Sequence, residues 1–214
     1  LLSNEIKRNP DRVDWSYLSE NPNAISILEK NLDKVDWSWL SINKNAIHIL
    51  EKNLDKVDWA FLSENPNALH LLEREPEKIH WFSLSLNKNP KAMELIDKNL
   101  DRVDWANLSE NPSAISILEK NPDKINWFCL SLNPNALSIL EKNPDKINWI
   151  NLSLNPNAIH LLEKNLDKIN WNLLSQNPNA LHILEREPDK INSPNLCTNL
   201  AIFELDYSII KQRT

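Results

Sequence analysis

The chain has 214 residues, 41% hydrophobic and 25% charged, with 24 Lys and Arg against 30 Asp and Glu and a net charge of −6. Acidic and basic residues are interleaved throughout, so no stripe gathers the positive charge that nucleic-acid binding needs, and no apolar run approaches the roughly 18 residues of a membrane helix. Neither nucleic acid nor membrane is an expected partner, and two cysteines in unlike contexts, Cys129 and Cys197, suggest no disulfide framework.

Residues 1–9 read as a divergent start, and from residue 10 to residue 192 one phrase repeats. Tryptophan stands at Trp15, Trp37, Trp59, Trp81, Trp105, Trp127, Trp149 and Trp171, at intervals of 22 residues with one step of 24. A period of this size marks an array of short units, none able to bury its apolar face alone. The fold expected is all-α, an α-solenoid of stacked short helix-turn-helix repeats forming one elongated domain over 1–214.

The unit around Asn133 to Ser153 shows the expected elements. Asn133-Pro134 reads as the cap and first residue of one helix, and Asn143-Pro144, followed by Asp145, as the start of a second. Each helix would span about 8 to 10 residues, roughly 12–15 Å, and would not persist alone in water. On the first helix Ala136, Leu137, Ile139 and Leu140 share an apolar face, with Ser138 opposite. On the second, Trp149 and Leu152 share a side, and the indole is expected in the core because aromatic side chains bury large areas. Glycine is absent, so any left-handed turn residue is expected to be Asn.

The long step comes from two extra residues, read as Asn87-Lys88 ahead of Asn89-Pro90, which predict a lengthened turn. Past Asn192, Ser193 occupies the ninth Trp position. Residues 193–214 read as a divergent C-terminal cap with a helix over Ile202 to Ile210.

The recurrent polar positions do not suggest catalysis. His48, His70, His160 and His182 fill one slot at the outer apex of the first helix. Packed helices stand roughly 8–10 Å apart, whereas zinc ligands lie about 2 Å from the metal, so solvated surface is expected rather than a metal site. Asp14, Asp36, Asp58 and Asp104 interchange with Asn126, Asn148, Asn170 and Asn192, which indicates hydrogen bonding or capping rather than proton transfer. A Ser recurs four residues after each Trp, as turn chemistry or close packing would require and a nucleophile would not. No catalytic residue, metal or cofactor is expected.

The informative variation lies on the second helix, in the two residues after Trp and the one after the recurrent Ser. Tyr17, Trp39, Ile42, Phe61, Phe82, Leu86, Phe128 and Leu132 are the candidate anchors for a protein partner, since contiguous exposed apolar side chains mark interaction sites. Extra core is the alternative reading of the same face.

The phrase Asn-Pro-Asn-Ala-Ile-x-x-Leu-Glu-Lys-Asn-x-Asp-Lys-Ile-x-Trp, recurring from Asn9 to Asn192, resembles the short Asn-rich repeats in giant DNA virus proteins. The resemblance implies a viral origin and an intracellular setting, host cytoplasm or virion, and says little of function. The function expected is a non-enzymatic scaffold for protein–protein interaction. The alternative is a structural component of a virion or other assembly that self-associates through the solenoid.

Overall fold

The structure, a computed structural model, describes residues 12–203, and all regular structure among them is helical. The divergent start at 1–9 lies outside the described residues, as does nearly all of the expected terminal helix, of which only the 3-10 turn Leu200–Phe203 is described. The chain forms two compact units, one ending at Ile117 and one beginning at Leu118. The repeat pattern does not mark this division, which falls inside the helix Ile115–Lys120. Each unit is an α-solenoid of 22-residue repeats, with second helices such as Trp15–Glu20, Trp37–Ile42, Trp59–Glu64 and Trp81–Leu84 stacked in order in the first unit.

The helices are shorter than their caps suggest. First helices run from four residues (Ile25–Leu28) to six (Leu137–Lys142), and second helices from four (Trp149–Leu152) to six (Trp59–Glu64). The Asn-Pro-Asn-Ala phrase is a turn ahead of the first helix, not its first turn. Asn21 C=O accepts from Ala24 N–H at 3.0 Å and Asn21 Oδ1 from Asn23 N–H at 2.9 Å, leaving Ala24 at the helix start. The Asn of the second phrase closes the first helix instead of opening the next: Asn143 Nδ2 donates to Ile139 C=O at 2.8 Å, and Pro144–Lys146 makes one 3-10 turn. The second helix then begins at the indole, capped by the Asp or Asn just before it; Asp36 Oδ1 accepts from the N–H groups of Ser38 and Trp39.

No described residue has a positive φ, so the left-handed Asn expected at the turns does not occur. A left-handed glycine usually satisfies the last helical carbonyls. Here side-chain amides take that role, Asn31, Asn53 and Asn99 each reaching the carbonyl four residues back. That substitution is what lets the chain do without glycine.

The hydrophobic spine is leucine rather than tryptophan. Leu40, Leu62, Leu84 and Leu108 in the first unit, and Leu130, Leu152 and Leu174 in the second, are fully buried, packed with Ala46, Ala68, Ala136 and Ala158 of the first helices. Of the eight indoles that recur with the repeat only Trp81 is buried; the others are half-buried. The outer face of the ring is covered by a cation from the following repeat instead of an apolar group. Lys56 lies 4.9 Å from the Trp37 ring, Lys78 4.8 Å from Trp59, Arg102 4.6 Å from Trp81 and Lys168 4.8 Å from Trp149. Such contacts hold the indole at the rim, where its amphipathic ring suits a half-wet position.

Between repeats runs a buried polar ladder. Each recurrent Ser donates to the carbonyl of its own Trp and accepts the N–H of the next repeat's capping residue; for Ser41 these distances are 2.7 Å to Trp37 and 3.0 Å from Asp58. The Asn after it spans two carbonyls of the preceding repeat, as Asn87 does to Ser63 and Asn65, and Asn177 to Ser153 and Asn155. The exposed Asn two residues on adds a third rung, Asn67 Nδ2 to Lys44 C=O at 2.8 Å.

The ladder also corrects the site of the insertion. Asn87 and Asn89 make the ordinary rungs, Asn89 Nδ2 reaching Pro66 C=O. The extra residues are therefore Pro90 and Lys91, which add a second turn closed by Lys91 N–H donating to Asn89 Oδ1 at 3.0 Å before helix Ala92–Asp97.

Candidate functional site

The second helix has two faces set by its own period. Leu and Ser, three and four residues after Trp, point into the array and are fully buried, except Leu18 of the first described repeat, which is half-buried. The residues between them and the cap have no such anchor, and they occur in two forms. After an Asp cap the helix runs for six residues, the first slot after Trp is small (Ser16, Ser38, Ala60, Ala106), and the second carries the bulk. The small residue lets the next cap approach: Ser16 Oγ donates to Asp36 Oδ2 and Ser38 Oγ to Asp58 Oδ2, each at 3.0 Å. After a His or Asn cap the helix runs for four residues, and the first slot carries the bulk in Phe82, Phe128 and Ile150, whereas the Asn170-capped helix has Asn172 there and Leu173 after it. The second slot then turns toward the preceding repeat, Asn151 Nδ2 donating to Phe128 C=O at 2.8 Å.

The bulky side chains of both forms stand in solvent: Tyr17 is 75% exposed, Phe128 57%, Phe82 54% and Ile150 54%, with Trp39 at the lower edge of the exposed range. Phe61 is half-buried because it packs on Trp39, ring centroids 5.5 Å apart. Ile42, Leu86 and Leu132, in the slot after Ser, are half-buried. Of the eight anchors expected from sequence, Ile42, Phe61, Leu86 and Leu132 are thus half-buried, and Tyr17, Trp39, Phe82 and Phe128 are exposed. Ile150 belongs with them and was missed. Its slot, the first after Trp, is the one held by Phe82 and Phe128, and that equivalence was the available signal.

The electrostatics of the two units differ. In the first, Asp caps and the slot after Ser place a carboxylate one turn either side of the second-slot residue: Asp14 and Glu20 around Tyr17, Asp58 and Glu64 around Phe61, Asp104 and Glu110 around Asn107. Burial raises the Glu64 carboxyl above its usual range, and the Lys88 charge opposes that by lowering it. In the second unit the caps are Asn126, Asn148, Asn170 and Asn192 and the slots after Ser are Leu132, Leu154 and Gln176, so the face carries no carboxylate.

The remaining polar groups serve the array. His48, His70, His160 and His182 are exposed, and each imidazole Nε2 lies 2.7–2.9 Å from a Glu of the repeat before. His80 acts as a cap, its Nδ1 accepting from Ser83 N–H. Among the described residues no group of three or more His, Cys, Asp or Glu could hold a metal ion, and no helix is long and apolar enough to cross a membrane. Asn107 and Asn151 of the two Asn-x-Ser sequons hold inter-repeat hydrogen bonds, and the Ser of each is fully buried.

Grooves lie between successive first helices. One in the second unit, about 390 Å³, is lined by Leu118, Glu119, Trp127, Ile139 and Lys142. Its counterpart in the first unit, about 200 Å³, is lined by Glu29, Leu32, His48, Ile49, Lys52 and Asn53.

Set beside known proteins, the chain matches no family model, no curated protein and no solved structure.

Proposed function

We propose that the chain is a non-enzymatic repeat scaffold that holds a partner protein along the exposed side of its second helices. The observation that carries this reading is the exposure of Tyr17, Trp39 and Phe82 in one unit, and of Phe128 and Ile150 in the other. These side chains project from helices anchored on the opposite side by Leu and Ser. Large apolar groups left in water mark interaction surfaces, and aromatic ones dominate binding energy at interfaces. The ladder residues stay fixed from repeat to repeat while these slots change, so one scaffold can present a particular surface. The test is affinity purification from the native source with mass spectrometry, using the native chain and a Tyr17→Ser, Phe82→Ser, Phe128→Ser variant. A protein retained by the native chain and lost by the variant, with the helical signal intact, is the expected result. Equal retention removes the second helices from the binding role.

A second reading, a structural component of a virion or other assembly, is favoured by the uncharged surroundings of Phe128 and Ile150, which suit contact between copies. Light scattering across concentration separates the two: ordered oligomers favour assembly, and a persistent monomer favours the scaffold.

A further inference from the structure

Resting on the scaffold reading, we propose that the second-helix face of the first unit takes a basic segment of its partner, one that carries Lys or Arg between apolar side chains. The basis is a juxtaposition of carboxylates with bulky side chains along the first three described repeats. In two of the six-residue second helices the bulky residue stands between carboxylates: Asp14 Oδ1 accepts from Tyr17 N–H at 3.3 Å and Glu20 follows one turn on, and Asp58 and Glu64 bracket Phe61 in the same way, while Trp39 between them has Asp36 before it and Ile42 after it. The carboxylates are not neutralised by their own repeat. The lysines that precede the next caps, Lys34, Lys56 and Lys78, are held over Trp15, Trp37 and Trp59, and only Lys44 and Lys88 stand in the turns beside the row. Glu64, pressed by burial toward its neutral form, is a position where an added cation would be welcomed.

The chemistry recognised is therefore a cation beside an apolar group, repeated along the stack. Neighbouring helices stand roughly 8–10 Å apart, a distance that about three residues of extended chain cover. A partner segment with a basic residue at about every third position would meet a carboxylate at each of the Tyr17, Trp39 and Phe61 repeats, its other side chains lying on those three residues. The second unit, with Asn caps and Leu132 and Leu154 in the slots after Ser, presents no such charge and supplies an internal contrast.

The experiment is selection from a displayed library of short random peptides on the immobilised full chain, with a Tyr17→Ser, Trp39→Ser variant as the counter-target. Selected peptides are then measured by fluorescence anisotropy. Enrichment of peptides rich in Lys or Arg with interspersed aromatic or aliphatic residues is expected. Their affinity should fall about tenfold when Glu20, Glu64 and Glu110 are all changed to Gln, as loss of complementary charge predicts. It should hold when Glu73, Glu119 and Glu185, exposed on first helices, are changed to Gln with the same loss of net charge. Peptides that depend on Tyr17 and Trp39 but carry no excess of positive charge would overturn this inference and leave the scaffold reading standing. Basic peptides equally weakened by both triple variants would show attraction to net charge alone and would also overturn it. A library in which nothing distinguishes the chain from the counter-target would overturn both.

Discussion

The Nδ2 of Asn65 lies 2.9 Å from the carbonyl oxygen of Ser41 in the repeat before it, and both residues are wholly shielded from solvent. The same amide reaches Asn43 C=O at 3.2 Å, while its Oδ1 accepts from Asn67 N–H at 3.0 Å. One side chain thus satisfies three backbone groups that stacking would otherwise strand. An unsatisfied buried group costs about 1–3 kcal/mol, so Asn65→Ala should destabilise the array by about 3 kcal/mol. Asn65→Asp should cost more, because it turns an acceptor and a charge toward two carbonyls. Urea titration followed by circular dichroism measures both, and an Asp variant as stable as the native chain would remove Asn65 from this role.

Ser153 makes the neighbouring rung, donating to Trp149 C=O at 2.8 Å and accepting from Asn170 N–H at 3.0 Å. Ser153→Ala leaves that N–H with no acceptor in the array, at a cost of about 1–3 kcal/mol. The local readout is hydrogen exchange, in which the Asn170 amide should lose protection selectively. Unchanged protection there would mean the rung does not hold the repeats together.

Trp81 is the buried indole, and among the described residues its Nε1 is the buried side-chain atom with no hydrogen-bond partner. Trp81→Phe removes the stranded donor while keeping a ring beneath Arg102, and should stay within about 1 kcal/mol of the native stability. Leu84→Ala, three residues on at a fully buried position, should cost about 2–5 kcal/mol. Thermal denaturation ranks the pair, and a Trp81→Phe loss as large as that of Leu84→Ala would contradict the ranking.

Glu64 gives the first unit a pH dependence of known sign. Burial raises its carboxyl above 4.5 despite the lowering effect of Lys88, so the folded state holds the proton more tightly than the unfolded chain. Its contribution to stability is fully present below the ordinary carboxyl value and is lost as pH rises through the folded one. Glu64→Gln should therefore match the native chain in acid and exceed it slightly at neutral pH. Denaturation midpoints on either side of the carboxyl range test this, and a variant less stable at neutral pH would reverse the sign.

Much of this architecture was legible in the sequence, and the misses share a cause. The eight-fold Trp and the Ala-Leu-x-Ile-Leu face gave the stacked helices and their period, while the interchange of Asp with Asn marked a hydrogen-bonding or capping position without placing it at the start of the second helix. Helix lengths were overestimated because Asn-Pro reads as a helix cap, whereas Asn21 and Asn143 use their side chains in turns and helix ends. The indole was placed in the core by its size, but Lys56 and its equivalents cover the ring from the next repeat, a contact between residues about twenty positions apart that no local pattern displays. The Ser and Asn rungs are hidden for the same reason: their partners in other repeats lie 17 to 26 residues away, as for Ser41 with Asp58 and Asn111 with Ser85. The candidate face was found as a set of variable slots. Which slot faces water depends on whether the cap is Asp or Asn, and that choice sets Trp39 apart from Phe128.

The separation of a solvent-facing row from a buried spine rests on two residues two positions apart, Phe128, 57% exposed, and Leu130, fully buried. Denaturation midpoints of Phe128→Ser and Leu130→Ala, measured side by side on the full chain, test it most directly. Phe128→Ser should change stability by less than about 0.5 kcal/mol, and Leu130→Ala should lower it by about 2–5 kcal/mol. Comparable losses would make Phe128 part of the core and leave the second helices without a free face for any partner.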